Sequence, residues 1–505
     1  MLNSIKASIR DTLIFGFGNV AVKVIGFVLI PLYTDPKYFS VDDFGIIGLM
    51  DISGLVLISI IASSFPQSLT RWYWAKDTPS SQKEIFFMNF ISQVVMSLLF
   101  CALLIPVSGS LSKIIFSNIN WSLAITLIVI SSALQAINTL INTLLRLQAR
   151  SALFTATNLA KLVIVLILTI YLIINRNMGI AGIYLAQVIG NALIILILLP
   201  YSIKNCSVGF DTATWKSMVI YGLPLVIASV ATVALNVVDR YALNTLNILK
   251  YVAIYTLAAK ISSSLKLILV DTIKFAVFPQ MVRRIDSPDN KRFYSKAMLY
   301  SSYAVMFGII AVSLFSLEVI KFMARTPELW GAYMLVPVLT LSSFFINMRE
   351  VAVYSLVATK KTQKISFIVI VSAVINIALN LLLVPVWYAA GAALATFLSQ
   401  LIYWVLMQII SQRAYHIPYE NVKILMIFIT GSLLSFAGLL MNDISLVPRL
   451  LIKLVCLASF PAILYVLKFY EPIELQTIKG FIVKWSNLKN IKQNLMSIKD
   501  IKDDL

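Results

Sequence analysis

The chain has 505 residues, of which 60% are hydrophobic and only 12% are charged. Soluble proteins carry about a quarter charged residues, so this composition excludes a soluble globular protein and indicates many membrane-spanning helices. The formal net charge of +19 does not predict a nucleic-acid partner. No RNA- or DNA-binding motif is present, and basic residues spread over short loops are expected on the cytoplasmic side of a membrane.

Fourteen apolar segments are predicted to span the membrane as helices. Each is close to the roughly 20 residues that a helix needs to cross the hydrocarbon layer. The segments lie near residues 11–31, 44–65, 85–107, 121–145, 151–174, 179–201, 217–238, 251–273, 297–317, 329–356, 365–386, 390–411, 422–441 and 449–468. Because the number is even, both termini are predicted to lie on one side of the membrane.

The distribution of basic residues predicts which side that is. With the N-terminus inside, 27 of the 41 Lys and Arg residues fall in cytoplasmic loops and tails, and eight fall on the other side. This bias predicts two cytoplasmic termini. Residues 471–505 place apolar side chains at helical spacing between lysines, which indicates a basic amphipathic helix on the anionic inner leaflet. A disordered basic tail is the alternative.

A repeat relates the two halves of the chain. Phe65-Pro66-Gln67 returns 213 residues later as Phe278-Pro279-Gln280, and "GIAGIYLAQ" (179–187) resembles "YAAGAALAT" (388–396). Matches in the same order at nearly constant offset indicate an internal duplication. We therefore predict an all-α membrane protein with two six-helix lobes around a central cavity and two further helices. The predicted units are 1–205, 206–415, 416–470 and the basic tail 471–505.

The two Phe-Pro-Gln sites both lead into arginine at the predicted cytoplasmic ends of spans 2 and 8. Proline there is typical of a helix end or a kink. A second interpretation is a matched pair of bends at the cytoplasmic mouth of the cavity, where arginines meet lipid phosphates. The residues concerned are Pro66, Arg71, Pro279, Arg283 and Arg284.

Charged and amide side chains within the spans predict where the cavity lies. A charge at the centre of a membrane helix costs about 2.5–3.5 kcal/mol, so such residues normally face a protein interior or water. The cations proposed to bind substrate are Lys23, Lys260, Lys266, Arg146 and Arg349. The polar residues proposed to line the cavity are Asn19, Gln135, Asn138, Asn142 and Ser264. Hydrogen bonds between packed helices are the alternative for the amides, and snorkelling to the membrane surface is the alternative for Arg349.

Basic residues outnumber acidic ones within the spans, so the cavity is predicted to attract an anion, with phosphate as the commonest group. No Walker motif is present, which argues against ATP hydrolysis. No cofactor, metal site or catalytic residue is predicted. Coupling to H⁺ or Na⁺ through buried carboxylates is a hypothesis. The carboxylates concerned are Asp51, Asp239, Asp271 and Glu350.

At "DRYAL" (239–243), "YVAIYTLAAKI" (251–261) and the Phe-Pro-Gln sites, the chain resembles the polysaccharide flippases of the multidrug/oligosaccharidyl-lipid/polysaccharide (MOP) exporter superfamily. The O-antigen and capsule repeat-unit flippases of lipopolysaccharide and capsule synthesis fit best. The resemblance implies transfer of an undecaprenyl-pyrophosphate-linked glycan across the bacterial inner membrane by alternating access. It also implies a cationic cavity built largely from spans 1, 2, 7 and 8, contact with membrane lipids, and a polysaccharide polymerase and chain-length regulator as partners.

Three other functions fit parts of this pattern. A lipid II or teichoic-type glycolipid flippase also has fourteen spans and a cationic cavity. A drug or cation antiporter of the same superfamily usually has twelve spans and prefers cationic substrates. A membrane-embedded polymerase or ligase is expected to have a large periplasmic loop with catalytic side chains, whereas the outward loops here are short. The one histidine, His416, lies in a predicted cytoplasmic loop.

Overall fold

The computed structural model describes residues 27–62, 64–75, 79–116, 118–246, 248–285, 287–359, 361 and 363–476. Within these ranges every regular element is a helix. The first half contains α1 (Ile30–Tyr33), α2 (Val41–Ala62), α3 (Phe65–Trp72), α4 (Gln82–Leu104), α5 (Ser108–Phe116), α6 (Ser122–Leu147), α7 (Ser151–Ile174) and α8 (Gly179–Lys204).

The second half continues the helical pattern. It contains α9 (Thr212–Asn244), α10 (Leu249–Leu265), a π-helical turn (Lys266–Asp271), α11 (Thr272–Arg283), α12 (Asn290–Leu314), α13 (Ser316–Met323), a 3₁₀ helix (Pro327–Met334), α14 (Val336–Ala358), α15 (Gln363–Ala414), α16 (Asn421–Ala437), a 3₁₀ helix (Gly438–Met441) and α17 (Leu446–Val466). The prediction of an all-α polytopic membrane protein is confirmed.

Twelve of the described helices are long and apolar enough to cross a membrane. The 52-residue α15 is broken at Tyr388, where φ is 48° and ψ is −126°, so it contains two of the predicted spans, 365–386 and 390–411. Pro385 lies just before the break and lacks the N–H that a continuous helix needs. Gly391 lies just after it, and a Cβ there would be 2.2 Å from the Leu383 carbonyl oxygen. Most of the first predicted span, 11–31, lies outside the described residues.

Helix contacts in the two halves follow the same scheme. In the first half α6 packs against α2, α4 and α8, while α7 packs against α8. In the second half α14 packs against α10, α12 and α15, which are the equivalents by span order. We call these helix groups the N-lobe (α1–α8) and the C-lobe (α9–α15). The residue boundaries of the four predicted units stay a prediction.

The lobes meet most closely along α2 and α10. A methyl group added at Gly45 would lie 2.6 Å from the backbone oxygen of Leu249, and one at Gly48 would lie 2.4 Å from Oγ1 of Thr256. Glycine at both positions therefore allows the helices to touch through their backbones. A second contact lies beyond this end of α2. There the Thr326 hydroxyl donates to the Thr34 carbonyl oxygen over 2.7 Å, and Arg325 pairs with Asp35.

The last two helices lie against the C-lobe, where α16 packs on α12 and α17. A buried ion cluster fixes α17. Lys453, with a fully buried side chain, lies 3.0 Å from a carboxylate oxygen of Glu318 in α13. Arg449 approaches the same carboxylate at 2.8 Å. Breaking such a buried pair from one side costs about 3–5 kcal/mol, so this cluster anchors α17 to the C-lobe. Of the predicted tail 471–505, all but the first six residues lie outside the described part.

Candidate functional site: a cationic cavity between the lobes

A cavity of about 590 Å³ lies where the two lobes face each other, with charged and polar side chains set in a largely apolar lining. The N-lobe contributes Phe27, which precedes α1, Ile30 in α1 and Leu55 in α2. The C-lobe contributes side chains from α9, α10, the π-helical turn, α14 and α15. The residues that line it are Phe27, Ile30, Leu55, Val233, Leu235, Asn236, Asp239, Arg240, Tyr255, Ala259, Lys260, Ser262, Ser263, Ser264, Lys266, Leu267, Asp271, Leu339, Ser342, Ser343, Ile346, Thr396 and Gln400. The lining therefore comes mostly from the C-lobe.

Lys260 links the lobes through an ion pair in this region. Its Nζ lies 3.2 Å from Oδ2 of Asp51 in α2, and the Tyr184 hydroxyl donates to the other carboxylate oxygen of Asp51 over 3.2 Å. The Lys260 side chain keeps 24% of its surface exposed and the Asp51 side chain 36%. A partly exposed pair of this kind is worth about 0–1 kcal/mol, so it adds little to the stability of the contact between the lobes.

Lys266 and Asp271 mark the two ends of the π-helical turn in the cavity wall. The extra residue of a π turn rotates the following side chains relative to an α-helix, and such turns are frequent at functional sites. Ser264 also lines the cavity, and its hydroxyl donates to the Ile261 carbonyl oxygen over 2.6 Å. Lys260, Lys266, Ser264 and Asp271 therefore lie around one cavity, although by sequence spacing only Lys260, Ser264 and Asp271 share one face of a helix.

Arg240 also lines the cavity, although it lies outside the predicted span 217–238. Its guanidinium carbon lies 5.8 Å from the centroid of the Tyr255 ring, which is within the range of a cation–π contact. The predicted span ended at residue 238, but α9 continues to Asn244 and carries Arg240 into the cavity wall. The adjacent charges of "DRYAL" directly follow a long apolar run, and this pattern is the feature of the sequence that could have indicated a charged site at the end of the helix.

Asp239 is buried in a ring of hydrogen-bond donors. Its carboxylate accepts from the Thr396 hydroxyl over 3.0 Å, from the Asn380 amide over 3.2 Å and from the Tyr255 hydroxyl. Only 2% of the residue is exposed. Buried carboxylates are tolerated when hydrogen bonds satisfy their oxygens, so Asp239 is a bound and oriented carboxylate at the cavity wall, which joins α9, α10 and both halves of α15.

Arg349 and Glu350 form a neighbouring network just behind the cavity wall. Arg349 donates to Glu350 over 2.9 Å and to Gln400, a cavity residue, over 3.1 Å, and its guanidinium stacks on Tyr403 at 4.2 Å. Lys274 pairs with the second oxygen of Glu350 at 2.6 Å. Arg349 is thus engaged by protein groups and reaches the cavity only through Gln400.

Gln135, Asn138 and Asn142, the α6 amides predicted to line the cavity, are not among its lining residues. Asn138 donates to the side-chain and backbone oxygens of Asn191 in α8, each over 3.1 Å. Asn142 exchanges longer contacts with Asn158 in α7, and Gln135 accepts from Lys161 in α7. These amides join helices within the N-lobe, which is the alternative given above for amides in spans.

The remaining predicted residues lie at the helix ends or outside the described part. Arg146 is exposed and donates to the Thr143 hydroxyl over 3.0 Å. Arg71 stacks on Tyr221 at 4.8 Å, and Arg284 stacks on Phe293 at 4.5 Å. Arg283 is exposed at the end of α11. Asn19 and Lys23 lie outside the described residues.

The two Phe-Pro-Gln sites differ in local structure. Phe65 and Pro66 begin the short helix α3. This helix is distinct from α2, which ends at Ala62. Pro279 lies inside α11, which follows the π-helical turn without interruption. The first site thus begins a new helix, whereas the second follows a distorted turn in a continuous helix. A role for either proline in a cytoplasmic mouth stays a prediction.

Two lobes of membrane-spanning helices around a cation-lined cavity form the architecture of a membrane transporter. The model of the polysaccharide biosynthesis protein family matches residues 8–285, which is more than half of the chain. The chain therefore belongs to this family, a flippase family of the MOP superfamily. None of the curated proteins compared with the chain matches its sequence.

Solved structures support the same fold. The lipid II flippase MurJ in an inward closed conformation is 13% identical, with a TM-score of 0.74 over 91% of this chain and 100% of that one. An inward-facing multidrug resistance MATE transporter is 12% identical, with a TM-score of 0.62 over 80% and 95%. The MATE multidrug transporter DinF-BH is 14% identical, with a TM-score of 0.62 over 81% and 95%. At these identities the likeness concerns the fold alone.

Proposed function

We propose that this protein moves an undecaprenyl-pyrophosphate-linked oligosaccharide repeat unit from the cytoplasmic to the periplasmic leaflet of the bacterial inner membrane, with both termini in the cytoplasm. The observation that carries the proposal is the cavity between the lobes, where Arg240, Lys260 and Lys266 face Asp239 and Asp271. These three cationic side chains outnumber the two carboxylates of the cavity lining, which favours an anion such as a pyrophosphate.

The transport step follows from the weak inter-lobe pair. A pyrophosphate is too strongly charged to cross hydrocarbon unpaired. Lys260 and Lys266 hold it in the cavity, with the phosphate replacing Asp51 as the partner of Lys260, while the polyprenyl chain stays in lipid and the sugar meets serine and amide groups such as Ser342 and Gln400. Separation of the lobes at Gly45 and Gly48 then exposes the cavity to the other leaflet.

A lipid II or teichoic-type glycolipid is the second candidate substrate, favoured by the similarity to a lipid II flippase structure. A cationic drug is disfavoured by the charge of the cavity. For energy coupling, we propose Asp239 as the site that binds or releases H⁺ or Na⁺, because it is the buried carboxylate that joins three helices of the C-lobe. A polymerase and a chain-length regulator are proposed to receive the product.

The substrate is tested by deleting the gene in its native host and by reconstituting the purified protein in vesicles. The expected result is loss of surface polysaccharide with accumulation of the lipid-linked repeat unit on the cytoplasmic side, and transfer of that lipid in vesicles but not of lipid II. Transfer of lipid II alone would select the second candidate. Unchanged surface polysaccharide in a strain with no second exporter would overturn the repeat-unit proposal, and failure to transfer lipid II in vesicles would overturn the second candidate as well.

A further inference from the structure

A second cavity lies far from the inter-lobe site, at the ends of N-lobe helices. Its volume is about 660 Å³. It is formed where α4 begins, where α6 ends and α7 begins, and where α8 ends, all on the side predicted to be cytoplasmic. The lining residues include Lys83, Arg150 and Lys204 from these three places, together with Gln148, Tyr201 and Asn205.

The charge of this pocket is uncompensated in the described part of the chain. Lys83, Arg150 and Lys204 are all exposed, none forms an ion pair with a described carboxylate, and no carboxylate lines the pocket. The nearby Glu84 is held by a capping box, in which its carboxylate accepts from the Ser81 N–H over 2.7 Å. Three cations around one cavity are suited to a phosphate group.

The backbone that carries Arg150 is fixed by specific contacts. The Gln148 amide donates to the Tyr73 hydroxyl over 2.7 Å and to Asn205 over 2.8 Å, and its oxygen accepts from Tyr201. The Arg150 N–H donates to the Leu145 carbonyl oxygen over 2.8 Å across Ala149, which has a φ of 53°. The helix end is therefore closed in the left-handed manner of a helix C-cap, which holds Arg150 at the pocket.

The pocket is continuous with the apolar surface of the spans. Leu153 lines it and is 37% exposed, and Ile203 and Leu196 on α8 are exposed over 63% and 61%. Exposed aliphatic side chains on a membrane helix face acyl chains. A ligand with a phosphate in the pocket therefore has lipid directly beside it, and the anionic inner leaflet supplies such ligands.

We propose that this pocket, defined by Lys83, Arg150 and Lys204, binds the phosphate head group of an anionic phospholipid whose acyl chains lie along α7 and α8. Gln148 is a positioning residue that orients the Arg150 loop. The site is separate from the inter-lobe cavity, and its occupancy does not require that the protein transport any particular glycan.

The test uses the full-length protein in phosphatidylcholine nanodiscs, with phosphatidylglycerol as the probe and retained lipid counted by native mass spectrometry. The pocket variant is Lys83→Gln, Arg150→Gln and Lys204→Gln. The control variant, Lys216→Gln, Arg292→Gln and Lys364→Gln, removes the same charge from exposed residues on the same predicted side. We expect the pocket variant to bind phosphatidylglycerol at least about tenfold more weakly, because the charge-assisted contacts to the phosphate are lost, and the control to change the binding less than about threefold.

Equal losses in the two variants, or no preference of the wild-type protein for phosphatidylglycerol over phosphatidylcholine, would overturn the proposal. Two further arms identify the source of the phosphate. Displacement of phosphatidylglycerol by millimolar inorganic pyrophosphate would assign the pocket to a soluble anion, and displacement by equimolar polyprenyl pyrophosphate would assign it to substrate capture. Either result would overturn the phospholipid assignment. Unchanged thermal unfolding of the pocket variant in neutral lipid establishes that it is folded.

Discussion

Both lobes carry polar side chains within their spans, but these side chains have different surroundings in the two lobes. On α6, the N-lobe amides Asn138 and Asn142 hydrogen-bond to α8 and α7. On α10 and the turn that follows it, Lys260 and Lys266 lie at the inter-lobe cavity. Asn138 and Asn142 share one face of α6, whereas Lys260 and Lys266 do not share a face. In each lobe the neighbouring helices decide whether a polar side chain packs between helices or lines the cavity.

The difference follows from the length and charge of the side chains. An amide is small enough to be satisfied between two packed helices, as Asn138 and Asn191 are. A lysine in a span needs water, a carboxylate or a long reach to another polar group. Lys161 illustrates the exception, because its ammonium group donates to Gln135 within the N-lobe. A lysine is therefore an indicator of a cavity only where its neighbours leave space.

The largest expected effect contrasts the in-span lysines of the two lobes. Lys260→Gln and Lys266→Gln should each reduce transport of a pyrophosphate-linked lipid in vesicles by about tenfold to a hundredfold, because each removes a charge-assisted contact worth about 1.5–3 kcal/mol. Lys161→Gln is the matched control, with an expected loss of less than about threefold. Initial rates are normalised to the amount of folded protein. If the Lys161 variant loses as much as the others, the contrast between the lobes is wrong.

The next effect concerns the contact between α2 and α10, along which the proposed transport step separates the lobes. Gly45→Ala brings a methyl group within 2.6 Å of the Leu249 carbonyl oxygen and should reduce the free energy of unfolding by about 1–3 kcal/mol, the usual effect of overpacking. Gly54→Ala is the control on the same helix, since its nearest neighbours would be 3.8 Å away. That variant should be neutral or more stable, because alanine favours a helix by up to about 1 kcal/mol. Both are measured by reversible unfolding in micelles.

Much of the fold was predictable from the sequence because it depends on the length of apolar runs and on repetition. The spans from 44–65 onward correspond to described helices, and the Phe-Pro-Gln pair indicated two equivalent halves. The spans 365–386 and 390–411 were predicted separately, and the break at Tyr388 lies between them. The apolar runs did not predict local geometry such as the π-helical turn at Lys266–Asp271. This turn depends on how α10 packs rather than on composition.

The candidate site was predicted less completely, for a physical reason. Lys260, Lys266, Ser264, Asp239 and Asp271 lie at the cavity. Arg240 fell outside the predicted span 217–238 because the apolar composition ends before the helix does. Arg349 met the same criteria as Lys260 and is instead engaged by Glu350 and Gln400. Spacing in the sequence identifies a face, whereas pairing between distant helices depends on tertiary contacts that no single chain segment encodes.

The smallest expected effect tests whether the α6 amides of the N-lobe join helices or line the substrate path. Asn138→Leu should lower the free energy of unfolding by about 1 kcal/mol, since it removes hydrogen bonds between α6 and α8 and leaves Asn191 with fewer partners. Transport per folded molecule should stay within about twofold of the wild-type value. Asn142→Leu is the comparison, with a smaller loss expected because its contacts to Asn158 are 3.3–3.5 Å long. A residue that only joins helices affects the transport rate through the fraction of folded protein alone. A large transport defect in either variant at unchanged stability would therefore place these α6 amides in the substrate path.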